Sequence, residues 1–264
     1  MKELTPEQIQ ENWDKLIQII KDNFSGERLE RLLEMYDYFE ERMCLAPASG
    51  KEHFHNAHPG GYVEHVLHIV DFAGQLWDVW GRNGATIDNF DKEELIFAAL
   101  HHDLGKVGDL SEDNYIHNDS DWHRKNQGLI YKHNPRLQYM TITDRACWLL
   151  QHFGINMSEN EYIGLRLTDG LYEEANKTYY MNWSKDNQLA TNIAYILHQA
   201  DMMASKIEYD EWVRGDHDIK PTRVVDDAGV DVESGKSAMP SMSVDKKSEQ
   251  SAAANKAFKD LFGD

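Results

Sequence analysis

Residues 92–106 read KEELIFAALHHDLGK, and this stretch decides how the rest of the chain is interpreted. Its apolar pattern predicts a helix over 92–102 that ends near Gly105. His102 and Asp103 at the end of this helix place an imidazole nitrogen close to a carboxylate oxygen. Both donor types suit a divalent transition metal. The stretch therefore predicts half of a metal site at a helix end.

His65 and Asp201 are conspicuous because each is a polar residue in an otherwise apolar helical pattern. A buried carboxylate is costly unless it is paired or bound to a metal. Taken singly, His65 is also explained as a core histidine, and Asp201 as a partner of Lys206 or Arg214. Together with the His-Asp pair, however, they would complete a site inside a helix bundle.

Helical periodicity dominates the rest of the chain, which predicts an all-α fold with a long inserted loop. The loop covers residues 108–139, is polar and irregular, and has room for a β-hairpin. Such a long loop is the natural place for substrate selection, although a merely solvated loop is the simpler interpretation. Helices are predicted from Pro6 to a break at Ser25, and over 27–43, 62–80, 92–102, 143–153, 158–167 and 187–212.

The domain organisation follows from a change of composition near residue 215. Residues 1–215 are predicted to form one helical domain, with N-terminal helices in 1–45 and the core in 46–206. The stretch 216–255 is rich in Ser, Ala, Asp, Lys and Gly and is predicted to be a disordered linker.

The last nine residues, 256–264, carry Phe258, Leu261 and Phe262, which would share one face of a helix. One interpretation is a frayed terminus. The other is a docking peptide on a flexible tether, with an apolar face for a groove on a partner. The segment is similar to the short terminal peptides by which phage replication proteins bind their sliding clamp.

The chain of 264 residues has 27 basic and 46 acidic side chains, a net charge of −19. This charge argues against a protein that holds duplex nucleic acid through its phosphates. It is compatible with a small anionic substrate, because a bound metal can dominate the local field. No apolar run is long enough for a membrane span, no secretion signal is visible, and the two cysteines form no disulfide framework. A cytoplasmic location is therefore expected.

The order of His65, His102, Asp103 and Asp201, with His-Asp-Leu-Gly-Lys at its centre, resembles the HD-domain superfamily of metal-dependent phosphohydrolases. The resemblance implies an all-helical fold in which these four residues hold one divalent transition metal. Manganese, iron, cobalt, nickel and zinc all bind such donors. Remaining coordination positions would go to water and to phosphate oxygens of the substrate.

The resemblance extends over residues 46–206. The residues Ala-Pro-Ala-Ser at 46–49 and FHNAHPGGYVEH at 54–65 resemble HD proteins of bacteria and their phages. The same pattern is similar to YhaM-type 3′–5′ exoribonucleases. Residues 197–201, Leu-His-Gln-Ala-Asp, resemble the closing segment of the family.

The resemblance also implies roles for residues around the metal. His55 would contact phosphate or act as an acid, although a loop histidine with a local hydrogen bond is also consistent. Lys106 would offset charge on the phosphate, or else is a surface lysine at a helix C-terminus. His198 would support a ligand rather than bind the metal.

Two-metal members of the superfamily carry further histidines between the His-Asp pair and the last Asp. The matching stretches here, residues 140–143 and 165–169, contain none. His133 and His152 do not fit the register and are expected at the surface. Asp169 is a candidate extra oxygen ligand. A single-metal site is the preferred interpretation.

Three functional hypotheses remain. The first is a phosphohydrolase that cleaves a nucleoside monophosphate or a deoxynucleoside triphosphate with metal-activated water. The second is a 3′–5′ exonuclease on single-stranded nucleic acid. The third is a non-catalytic adaptor that keeps the metal for stability and binds a replication partner through its C-terminal peptide.

Overall fold

The structure, a computed structural model, describes residues 4–217 with the exception of His53, Trp183 and Lys185. The candidate docking peptide, with Phe258, Leu261 and Phe262, lies outside the described residues. So does the predicted linker from residue 218 onward.

The described part of the chain is mostly α-helical, which confirms the predicted all-α class. Its helices are α1 (Pro6–Asn23), α2 (Gly26–Leu45), α3 (Gly61–Arg82), α4 (Lys92–His101), α5 (Asp121–Gln127), α6 (Ile142–His152), α7 (Glu159–Arg166), α8 (Lys177–Tyr180) and α9 (Ile193–His217). Short 3-10 helices follow α4 at Leu104–Val107 and lie between α7 and α8 at Gly170–Tyr172 and Glu174–Asn176.

Local sequence signals explain several helix starts. Thr5 and Gln8 form a reciprocal capping box at the start of α1, in which each side chain accepts from the backbone of the other. Helix α9, by contrast, begins at Ile193, six residues later than predicted. Asn192 donates to Thr86 O at 2.7 Å and Asn89 donates to Ala190 O at 2.7 Å, so tertiary bonds hold this segment out of the helix.

The long insertion contains the β-hairpin for which the sequence left room. Strands β1 (Tyr115–His117) and β2 (Tyr131–His133) pair antiparallel, with Tyr115 opposite His133. Helix α5 between them was not predicted. Ser120 begins it by accepting a hydrogen bond from the backbone of His123.

Helices α3 and α4 form the centre of the fold, because residues from both contribute to two apolar cores. One core packs them against α1, α2 and α6, and the other against α9. Each fully buried large apolar side chain contributes about 1.5–3 kcal/mol. This arrangement brings the middle of α3, the end of α4 and the middle of α9 to one place.

Among the described residues, no helix is both long enough and apolar enough to cross a bilayer.

Candidate metal centre

The turn after α4 holds the His-Asp pair through close packing against α6. A Cβ atom on Gly105 would lie 2.0 Å from the carbonyl oxygen of Ile142, so a side chain at this position is excluded. The buried guanidinium of Arg145 donates to Gly105 O at 3.2 Å and to Asn114 at 2.8 Å. The first residues of α6 therefore fix the direction in which the chain leaves Asp103.

The four residues predicted as ligands lie together, although they come from three separate parts of the chain. His65 Nε2 lies 3.6 Å from Asp103 Oδ2 and 3.5 Å from Asp201 Oδ1. His102 Nε2 lies 3.4 Å from Asp103 Oδ2. Helices α3 and α9 and the end of α4 each supply part of this cluster.

Two overlapping groups of donors among the described residues have the spacing that a metal ion needs. One is His65, His102 and Asp201, and the other is His55, His65 and Asp103. Within each group the donor atoms lie within 4.8 Å of one another. Because His65 belongs to both groups, they describe adjoining parts of one cluster.

Two buried imidazole nitrogens that lack a hydrogen-bond partner indicate that this cluster fits a cation. His65 Nδ1 contacts Glu208, and His102 Nδ1 lies 2.7 Å from Ala99 O, so each Nδ1 carries a proton. The Nε2 atom of each ring is buried and has no hydrogen-bond partner. A buried polar atom without a partner is costly. Two imidazole nitrogens beside two carboxylates form a donor set that a divalent transition metal accepts.

The pKa values of the cluster also indicate a cation site. Burial opposes ionisation of Asp103, but Lys106 and His102 hold its pKa well below the usual range. Burial also lowers the pKa of His65, yet Glu208 and Asp201 outweigh it and raise that pKa to about 10. Without a metal, protons on the histidines compensate the carboxylates. A divalent cation would take over that role.

Lys106 and His55 lie on one side of the cluster. Lys106 Nζ lies 2.5 Å from Asp103 Oδ2 and 3.4 Å from His55 Nε2, and its side chain is only 12% exposed. It is therefore no ordinary surface lysine. The ring of His55 stacks on that of His65 at 4.6 Å. Burial, then the charges of His65 and Lys106, lower the pKa of His55 to about 3, so it is neutral near pH 7 without a metal.

A cavity of about 330 Å³ opens beside the cluster, and Asp103 and Lys106 form part of its wall. Asp169 also lines it, but belongs to neither donor group. Burial, followed by repulsion from Asp103 and Asp201, raises the pKa of Asp169. His198 lines the cavity too, and its Nδ1 lies 2.8 Å from Thr168 O.

His133 and His152 are both exposed, as expected for surface residues. Neither is part of a donor group in the described residues.

Sequence reasoning missed Glu208, whose side chain is fully buried behind His65. A signal was present, because Glu208 follows Asp201 by seven residues and two helical turns bring both to one face of α9. His68, three residues after His65 and on the same face of α3, was missed as well.

Comparisons of the chain with protein-family models, with curated proteins and with solved structures find no match. The function is therefore argued from the site itself.

Proposed function

We propose that this chain is an HD-type metal-dependent phosphohydrolase that cleaves a phosphoester or phosphoanhydride of a nucleotide. The observation that carries the proposal concerns the Nε2 atoms of His65 and His102. Both are buried without a hydrogen-bond partner and lie 3.4–3.6 Å from carboxylate oxygens of Asp103 and Asp201. They lie next to a cavity whose wall includes His102, Asp103 and Asp201.

One divalent transition metal would be held by His65, His102, Asp103 and Asp201. When bound, it supplies a Lewis acid that polarises a phosphoryl oxygen and lowers the pKa of a water molecule. Such donors accept manganese, iron, cobalt, nickel and zinc, and His55 lies close enough to add a nitrogen.

The chain's own residues supply positive charge for a phosphate. Burial lowers the pKa of Lys106, but Asp103 outweighs it and raises that pKa, so the ammonium group keeps its charge inside the fold. With a cation bound to Asp103, Lys106 Nζ would be available to donate to a phosphate oxygen. Lys206 on α9 contributes a second ammonium group to the cavity wall. Neutral His55 then acts as a hydrogen-bond acceptor beside Lys106.

The size and charge of the site favour a small substrate over a polymer. A volume of about 330 Å³ lies at the lower end of the range for small-molecule sites. The chain carries a net charge of −19, which opposes binding of a long polyanion. A nucleoside monophosphate or a deoxynucleoside triphosphate therefore fits better than single-stranded nucleic acid.

The test incubates the full chain and Mn²⁺ with nucleoside mono-, di- and triphosphates, cyclic nucleotides and a single-stranded oligonucleotide. Substrates and products are then separated by chromatography. Asp103→Ala is the inactivating variant. Asp78→Ala, at an exposed position of α3, removes the same charge away from the site and is the matched control.

We expect one class of nucleotide to be hydrolysed by the wild type and by Asp78→Ala, and Asp103→Ala to abolish hydrolysis. Shortening of the oligonucleotide with the nucleotides untouched would replace the proposal by the exonuclease hypothesis. No turnover of any substrate by a folded, metal-loaded protein would overturn enzymatic function and favour the adaptor hypothesis.

A further inference from the structure

Glu208 lies behind the ring of His65, on the side away from Asp103 and Asp201. Its Oε2 lies 2.9 Å from His65 Nδ1, and its Oε1 lies 3.1 Å from the same nitrogen. The side chains of His65 and Glu208 are both fully buried. A carboxylate accepts hydrogen bonds and His65 Nδ1 donates here, so Nε2 is the atom left facing Asp103 and Asp201.

His68 also contacts the carboxylate of Glu208. Its Nδ1 lies 2.8 Å from Glu208 Oε1, and its side chain is 33% exposed at the surface of α3. His65 and His68 are three residues apart, so they lie on one face of α3 and both contact the Glu208 carboxylate on α9. The result is a chain of contacts that leads from the surface, through Glu208, to His65.

Stability alone is a weak reason for this arrangement. Removing a carboxylate from water costs several kcal/mol, and apolar residues commonly stabilise a helix interface as well or better. A carboxylate behind a metal-binding histidine has another effect, because it fixes the tautomer and the direction of the ring and makes the nitrogen a stronger ligand.

We infer that Glu208 is a positioning residue for the metal centre, that it orients His65 through Nδ1, and that His68 fixes Glu208. The inference rests on the proposed function, because it assumes that His65 Nε2 binds a metal. Neither Glu208 nor His68 belongs to a donor group, so both act through His65.

The experiment measures metal affinity directly on the full chain. Mn²⁺ binding is followed by calorimetry and Co²⁺ binding by its visible absorption band. Glu208→Gln keeps the size of the side chain and removes its charge. Asp210→Asn is the matched control, because it removes the same charge from an exposed position of α9. His68→Leu removes the second contact of Glu208 from a partly exposed position.

We expect Glu208→Gln to weaken binding of both metals about 10–100-fold and to change the Co²⁺ band. His68→Leu should weaken binding less, about 2–10-fold, because His65 keeps its carboxylate. Asp210→Asn should bind like the wild type. A purely structural role would lower the unfolding temperature of the metal-free protein but leave metal affinity unchanged.

A folded Glu208→Gln protein that binds Mn²⁺ and Co²⁺ within twofold of the wild type would overturn the inference. Should that variant not fold, unchanged metal affinity in His68→Leu would overturn it. A wild type that binds neither metal would instead refute the metal centre of the proposed function, so the two failures are distinguishable.

Discussion

His101 and His102 are neighbours in the chain with similar local surroundings. Both rings are buried, and the Nδ1 atom of each lies 2.7 Å from a backbone carbonyl of α4. The carbonyl belongs to Phe97 for His101 and to Ala99 for His102. Each ring therefore donates its Nδ1 proton to the backbone and leaves Nε2 to contact other residues.

The surroundings of these two Nε2 atoms differ. The Nε2 atom of His101 is 3.4 Å from the hydroxyl of Tyr36, within the apolar core. Burial lowers the pKa of His101 to about 3. Burial also lowers the pKa of His102, but Asp103 and Asp201 outweigh it, so the pKa is raised. Both histidines are buried, so burial does not explain the difference between their pKa values. The carboxylates beside His102 do.

Exchanging each histidine for glutamine should separate the two roles. His102→Gln removes a predicted ligand and should weaken Mn²⁺ binding more than about 100-fold, beyond the loss expected when a residue behind a ligand is removed. His101→Gln should leave that affinity unchanged and lower the unfolding temperature instead. Calorimetric titration and thermal unfolding of both variants check this. Equal losses of metal affinity would contradict the division of roles.

The affinity for metal should depend on pH through the carboxylate-facing histidines. The pKa of His65 is raised to about 10, so a metal must displace its proton at neutral pH. Affinity for Co²⁺ should therefore rise with pH, about tenfold per pH unit for each displaced proton between pH 6 and 8. His101→Gln should show the same slope. A flat profile would show that no proton leaves on binding.

Stability should also depend on pH through His101, and it should fall as the pH falls. Its pKa is near 6.5 when unfolded and about 3 when folded, so the unfolded state binds the proton more readily as pH falls. Its contribution is present above pH 6.5 and declines by about 1.4 kcal/mol per pH unit below it, or about 2 kcal/mol by pH 5.

Denaturant unfolding of the metal-free wild type and His101→Gln, from pH 7 to 5, measures this contribution as the difference between their slopes. The carboxylate-facing histidines are present in both proteins, so their contribution cancels. Identical slopes would mean that His101 keeps an ordinary pKa in the folded protein.

The smallest effect is expected from Tyr36→Phe, which removes only the hydroxyl group near His101. The contact is 3.4 Å long, so its loss should cost about 0.5–1 kcal/mol of the free energy of unfolding. Mn²⁺ affinity should stay within twofold of the wild type. Chemical denaturation and metal titration measure the two quantities, and a large loss of affinity would show that the core side of α4 controls the site.

Much of the helical architecture could be predicted, because apolar periodicity marks a buried helix face directly. The start of α9 could not, since side-chain bonds from Asn89 and Asn192 compete with helix formation there. Helix α5 was missed because its seven residues bury no side chain and leave no apolar pattern.

The cluster of His65, His102, Asp103 and Asp201 was predicted from residue types in a fixed order, without knowledge of distances. Glu208 was not predicted because a glutamate in a long helix usually faces solvent. Its spacing from Asp201 indicates a shared face of α9, and the packing of α9 on α3 shows that this face is buried. The burial of Lys106 could not be predicted either, because the sequence fits a surface lysine at a helix end equally well.

Helix α9 supplies both Asp201 in front of His65 and Glu208 behind it, and this has a consequence for the order of events during synthesis. The ribosome makes α3 and α4 long before α9, so His65 and His102 exist for a time without either carboxylate. Contacts between α3 and α9 span some 140 positions, as in the pair of His65 and Glu208, and such distant contacts form late in folding. The metal-binding capacity of a nascent chain should therefore appear only once α9 has docked.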